Sequence, residues 1–202
     1  YIVSHCQPSR VVAFEPASEN LELLRANIAL GRCEDRVQIM PIGLGDVDAE
    51  EKLQIDDVFG GTGRLDRLAA GEASMARQVH GLPPKTESIA IRRLDAVVDS
   101  GAPPPQFMKI DVEGAEALVF AGGTRTLAEH APKLAIALHG AEVGERVLTL
   151  LSDADYLCYG WTKPAAAGDK PVYGSIRPGD MARLAESNIV ASRSEADLTG
   201  LA

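Results

Sequence analysis

The chain alternates short, continuous apolar runs with amphipathic stretches. That alternation predicts a Rossmann-like α/β fold: a mostly parallel sheet with helices on both faces. Val11-Val12-Ala13-Phe14 is the first apolar run, and it stops at Glu15-Pro16 because proline has no N–H to donate to a ladder. Ser18 reads as a helix N-cap with Glu19 and Glu22 in the first turn; Leu21, Leu24 and Ile28 share one face, and Gly31 ends the helix. Val37 to Ile42 is the next strand, closed by Gly43-Leu44-Gly45-Asp46. Between Asp48 and Thr86 the pattern weakens, with a helical piece expected near Leu65 to Val79. Ser88 to Val98 reads as a strand running into a short helix. Phe107-Met108-Lys109-Ile110 is a buried strand ending at Asp111, with a helix from about Glu113 that stops at Gly122-Gly123 and a helical turn from Leu127 to His130. Leu134 to Leu138 is another buried strand, ending at His139-Gly140. A helix spans Glu142 to about Asp153, with Val143, Val147, Leu150 and Leu151 inward. Tyr156–Trp161 and Val172–Ile176 are expected to form a terminal antiparallel pair. No repeat or composition shift divides the chain, so one domain over residues 1–202 is expected.

Composition narrows the function. The net charge of −9 argues against a nucleic-acid binder, which needs a basic face, and suits a solvated acidic surface or a cationic small ligand. Cys6, Cys33 and Cys158 are far apart, with no CxxC and no histidine at metal-ligand spacing. They read as free thiols of a reducing compartment, the cytoplasm. No apolar run approaches the ~18 residues of a membrane span.

The candidate chemistry lies at strand ends, where ligands of open α/β sheets bind. Four expected strands end in Glu15, Asp46, Asp111 and His139, and parallel strands would bring these side chains to one rim. Glu15, beside Pro16, can accept hydrogen bonds from two ribose hydroxyls. Such an acid follows a glycine-rich loop by about 20 residues, which places the first strand and that loop upstream of Tyr1. Asp46 could accept from an adenine amino group, with Gly43 and Gly45 letting backbone approach the ring. Asp111-Val112-Glu113-Gly114-Ala115-Glu116 puts three carboxylates at a strand-to-helix junction; Gly114 suits a close approach by a ligand or another segment. His139 offers an imidazole that can take a proton from a substrate hydroxyl. His5, His80 and His130 lack strand-end placement and read as surface residues. Gly60-Gly61-Thr62-Gly63-Arg64 lacks the ending of a phosphate loop and reads as a flexible loop.

These residues resemble a known family. Val11 to Pro16 followed by Asn20, Leu24 and Asn27 resembles the second-strand region of FkbM-type methyltransferases. Gly43-Leu44-Gly45-Asp46, Arg93-Leu94-Asp95 and Leu138-His139-Gly140 resemble later strand ends of that family. Lys109-Ile110-Asp111-Val112-Glu113-Gly114-Ala115-Glu116 is similar to its most distinctive motif. The resemblance covers roughly residues 10 to 140, and the last of these runs is its most specific part. Ala137 departs from the pattern, standing where the family often has an acid.

The resemblance implies a class I methyltransferase fold, S-adenosyl-L-methionine as donor, and O-methylation of a sugar, polyketide or similar small molecule. On that basis Glu15, Pro16, Gly45, Asp46 and Asp111 are the expected cofactor contacts. His139 is the expected base, Asp111 an orienting group and Glu113 a second candidate for catalysis, with no metal assigned. Glu15 and Asp46 belong on ribose and adenine, away from a sulfonium whose ground state they would stabilise. Three alternatives stand beside this: a methyltransferase using Mg²⁺ at Asp111, Glu113 or His139, an inactive scaffold, and a nicotinamide enzyme.

Overall fold

The computed structural model describes residues 10–56, 62–68, 78–83, 85–164 and 170–198. The chain divides after Arg92 into two compact units. In the first, β1 (Val11–Phe14) pairs in parallel with β2 (Val37–Met40), Val11 opposite Val37. Helix α1 (Ser18–Leu30) follows β1 and buries Leu21 and Ile28. Ser18 is the first helical residue rather than the cap: the cap position is Ala17, and the Ser18 N–H and hydroxyl both donate to Glu87. A second sheet has the order β3 (Gly43–Leu44), β6 (Thr86–Arg92), β4 (Ala49–Asp56), β5 (Thr62–Leu65).

Two expectations change here. Thr62 to Arg64, read as loop, form part of β5, paired antiparallel with β4. A Cβ at Gly63 would sit 2.9 Å from the Leu53 side chain, so that glycine serves strand packing. Leu65 ends the strand and Asp66–Leu68 is a single 3₁₀ turn, while residues 69–77 of the expected helix lie outside the described residues.

The second unit carries one five-stranded sheet of order β10 (Val172–Ile176), β9 (Leu157–Thr162), β11 (Leu184–Ser192), β8 (Lys133–Ala137), β7 (Phe107–Ile110). Helices α2 (Leu94–Asp99), α3 (Glu116–Ala121), α4 (Thr124–His130) and α5 (Ala141–Asp153) complete it. Along β8, Leu134 and Ile136 alternate into a core with Ile110, Phe120, Val147, Leu148, Leu151, Ile189 and Ala191. Leu150 and Val143, expected inward on α5, pack at its edge. The expected pair of β9 and β10 forms, with Tyr173 opposite Trp161.

The expectation of a mostly parallel sheet is corrected by the pairing. Among the described residues β1/β2, β3/β6 and β7/β8 are parallel, whereas β4/β5, β4/β6, β8/β11, β9/β11 and β9/β10 are antiparallel. Parallel neighbours need a crossover of about a dozen residues or more. Residues 45–48 between β3 and β4 are too few, so β4 runs back beside β6. β11 inserts between β8 and β9 with its core contribution confined to Leu184, Ile189 and Ala191; Ala185 to Asn188 are exposed. Four polar or small exposed positions hide that strand from a periodicity argument.

Asp95 links two helices of this unit. Its carboxylate accepts from the Arg125 and Thr126 amides and from the Thr126 hydroxyl, at 3.1, 2.8 and 2.7 Å. It thereby satisfies orphan N–H groups at the start of α4 from a position in α2. Partial burial pushes the Asp95 carboxyl up, but these hydrogen bonds outweigh it and hold it below the usual carboxylate range. A depressed folded-state carboxyl stabilises the fold above the unfolded pKa of about 3.9, and the contribution disappears as pH falls through the folded value. Asp95→Ala is expected to cost about 0.5–2 kcal/mol at neutral pH. Urea unfolding should show that cost shrinking as pH falls below about 4 and disappearing once the folded wild-type carboxyl is also protonated.

Candidate functional site

The expected strand-end residues occupy strand ends, and they divide between the two units. In the first, Glu15 lies just past β1, half-buried, with its Oε1 accepting the Ala17 N–H at 2.8 Å. This uses one acceptor position of a carboxylate that has about four. Pro16, next to it, brings its ring to 3.8 Å from where a Cβ on Gly43 would stand. Gly43 and Gly45 have a structural explanation: a Cβ on either would come within 2.7 Å of Ile91, a core side chain. Asp46 is not a free acceptor. Its Oδ1 takes a 2.6 Å ion pair from Arg67, whose Nε also donates to Glu51 at 2.9 Å. The guanidinium is held above its ordinary value, chiefly by its hydrogen bond to Asp46. Arg67 falls in the weakly patterned stretch, where no periodicity singles it out.

In the second unit the expected residues come together. β7 and β8 are parallel neighbours with Ile110 opposite Ile136, so Asp111 and His139 emerge at the same edge. Between β7 and α3 the chain turns sharply: Glu113 has φ +50° and Gly114 φ +99°. The left-handed pair explains Gly114 without a ligand, since a side chain there would be strained. It costs about 1–3 kcal/mol at a non-glycine residue, and Glu113 is such a residue. The turn returns Glu113 to within 3.7 Å of the His139 Nε2, and Asp111 Oδ1 stands at the same distance. On its far side Asp111 Oδ2 is paired with Lys109 Nζ at 3.0 Å.

The other ring nitrogen is held from below. Glu116, the first residue of α3, is fully buried, and its Oε1 is 2.7 Å from His139 Nδ1. The same oxygen accepts the Gly114 N–H at 3.1 Å. With that oxygen accepting from both groups, the hydrogen of a neutral ring sits on Nδ1. Nε2 is left with its lone pair toward Asp111 and Glu113. Glu116 Oε2 is buried with no hydrogen-bond partner. This glutamate is the residue that sequence reasoning left out of the site. A signal was present: Val119 and Phe120 follow at i+3 and i+4, so position 116 lies on the buried stripe of its helix.

Of the remaining expectations, His80 and His130 are exposed, and His5 lies outside the described residues. Cys33 and Cys158 are free thiols, the latter buried and pushed up to about 12 by that burial; Cys6 lies outside the described residues. Ala137 is buried and pairs with Asn188. Among the described residues no helix is long and apolar enough to cross a membrane.

The family model of the methyltransferase FkbM domain matches residues 2–158. The chain belongs to the FkbM methyltransferase family. Its fold is similar to that of the crystal structure of methyltransferase FkbM from Methylobacillus flagellatus KT, with a TM-score of 0.52 and 19% identity. That match covers 91% of this chain and 36% of the other, so the chain spans about a third of that protein's length. No curated protein matches the chain.

The FkbM-type motif from Lys109 to Glu116 thus contains the turn, two of the carboxylates that face His139 Nε2, and the buried carboxylate that fixes Nδ1. In the neutral form of the ring, His139 is expected to be the Nδ1–H tautomer. Long-range ¹H–¹⁵N correlation spectra should show a pyridine-type Nε2 in the wild type and a mixture of tautomers in Glu116→Ala. A predominant Nε2–H form in the wild type would contradict the assignment.

Proposed function

We propose that this chain carries out S-adenosyl-L-methionine-dependent methyl transfer to a hydroxyl oxygen of a small molecule, such as a sugar or polyketide. Family membership supports methyl transfer, and the imidazole of His139, clamped at Nδ1 and open at Nε2, supports oxygen as the acceptor. S-Adenosyl-L-methionine, when bound, supplies an electrophilic methyl group on a sulfonium and departs as a neutral thioether.

The chain's own residues have three tasks. Glu15 fits the first, holding ribose: the Ala17 amide fixes its carboxylate at the end of β1 with acceptor positions to spare. Asp46 fits adenine less well, because Arg67 already holds it and a contact there would compete with a short ion pair. Pro16 and Gly45 border this region through Gly43 and Ile91. The second task is positioning an acceptor hydroxyl, for which Asp111 and Glu113 are placed on either side of Nε2. In-line attack needs an oxygen at about 3–3.5 Å, so orientation supplies much of the acceleration. The third is deprotonation. The hydroxyl proton passes to Nε2, and the imidazolium so formed is stabilised through Nδ1–H by the buried Glu116 carboxylate.

Glu15→Ala is expected to weaken S-adenosyl-L-methionine binding at least about tenfold, roughly one lost charge-assisted hydrogen bond; unchanged affinity by calorimetry would remove Glu15 from the cofactor site. His139→Ala is expected to lower turnover by about 10²–10⁴-fold while changing donor affinity little. Wild-type turnover in that variant would overturn the proposed role of this cluster.

A further inference from the structure

We propose that Asp111 Oδ1, Glu113 Oε2 and His139 Nε2 form a binding site for one hard divalent cation of the Mg²⁺ or Mn²⁺ kind, with Glu116 as its positioning residue. The proposal rests on reading this cluster as the place where the acceptor oxygen is activated. Three observations carry it. The first is spacing. Nε2 is 3.7 Å from each carboxylate oxygen, too far for a hydrogen bond, and one ligand atom from each of the three residues lies within 4.8 Å of the others. The nearest point equidistant from donors so spaced lies at most about 2.4 Å from each, and small inward shifts of the two solvent-accessible carboxylates bring it to the roughly 2.0–2.1 Å of Mg²⁺–oxygen bonds.

The second is the ring's far side. A histidine that binds a metal through one nitrogen donates its other N–H to a carboxylate, which fixes the tautomer and raises the basicity of the ligating atom. Glu116 makes that bond to Nδ1 at 2.7 Å. The third is charge. Glu116 is fully buried, and its Oε2 has no partner. A buried acceptor left without a donor favours positive charge nearby, which a cation on the other ring nitrogen supplies. Two carboxylate oxygens and one imidazole, completed by waters and an acceptor hydroxyl, suit Mg²⁺ or Mn²⁺ better than a thiolate-seeking metal. A hydroxyl bound to such a cation would give up its proton to solvent water more readily, so Nε2, then a ligand, would not be needed as the base.

The test is Mn²⁺ binding to the EDTA-treated, dialysed protein, followed by the loss of the free-ion electron paramagnetic resonance signal. One saturable equivalent is expected. Asp111→Asn and Glu113→Gln, both solvent-accessible changes that leave the core intact, should each weaken binding at least about tenfold, and Glu116→Gln by about 10–100-fold. If Glu116→Gln fails to fold by circular dichroism, the two surface variants decide. Absence of saturable binding at millimolar Mn²⁺, or binding undisturbed in the Asp111→Asn/Glu113→Gln double variant, overturns the site. Methyl transfer by the EDTA-treated enzyme that falls with His139→Ala would, alongside absent binding, reject the cation and leave the proposed function standing.

Discussion

The hydrogen bond between His139 Nδ1 and the buried Glu116 carboxylate depends on more of the second unit than any other polar contact described. It needs β7 and β8 in parallel register, so that residues 111 and 139 leave the sheet side by side. It needs the left-handed turn at Glu113 and Gly114, which delivers the start of α3 beneath the ring and supplies the Gly114 N–H to the same oxygen. It also needs the apolar face of α3, Val119 and Phe120, to carry the carboxylate into the interior. A buried carboxylate is costly, and removing its partner leaves that cost uncompensated. The contact therefore ties the geometry of the ring to the integrity of the core.

The parts of the fold legible in the sequence are those set by local periodicity. Phe107–Ile110 coincides with its apolar run, and β1, β8 and α5 lie within a residue or two of theirs. Pairing direction was not legible, because it depends on connection length and on which strand fills a gap late in the chain. β11 illustrates the limit: it sits between β8 and β9 although most of its residues are polar, small or exposed, and Leu184, Ile189 and Ala191 anchor it. The strand-end placement of Glu15, Asp111 and His139 was legible for the same local reason that strands were. The role of Glu116 was not, since its value comes from a histidine twenty-three positions away.

Several residues that look chemical in sequence have structural explanations, and the distinction is physical in each case. Gly43 and Gly45 make room for Ile91, Gly63 for Leu53, and Gly114 permits a backbone angle. Asp46 is committed to Arg67, and Asp95 to the first amides of α4. A carboxylate whose acceptors are taken by strong donors in its own neighbourhood offers less to a ligand than one held by a single amide. By that measure Glu15 keeps capacity that Asp46 has given up.

Asp111, Glu113 and Glu116 show the complementary division of labour. Glu116 is immobilised in the core and acts only through the imidazole; Asp111 and Glu113 are solvent-accessible and reach Nε2 from the turn and the strand end. Preorganisation is worth most where a group must keep one orientation while charge changes on its neighbour. The ring's Nδ1 side meets that requirement whether Nε2 receives a proton or binds a cation, because both events place positive charge on the imidazole and both are favoured by an anion fixed behind it. In the proposed reaction the two carboxylates at Nε2 face the opposite requirement: they would exchange water, acceptor or cation during a cycle, which a buried, fully bonded group could not do without loosening the fold. Placing the fixed anion inside the helix and the exchangeable ones on the turn lets one short segment, residues 111–116, serve both needs.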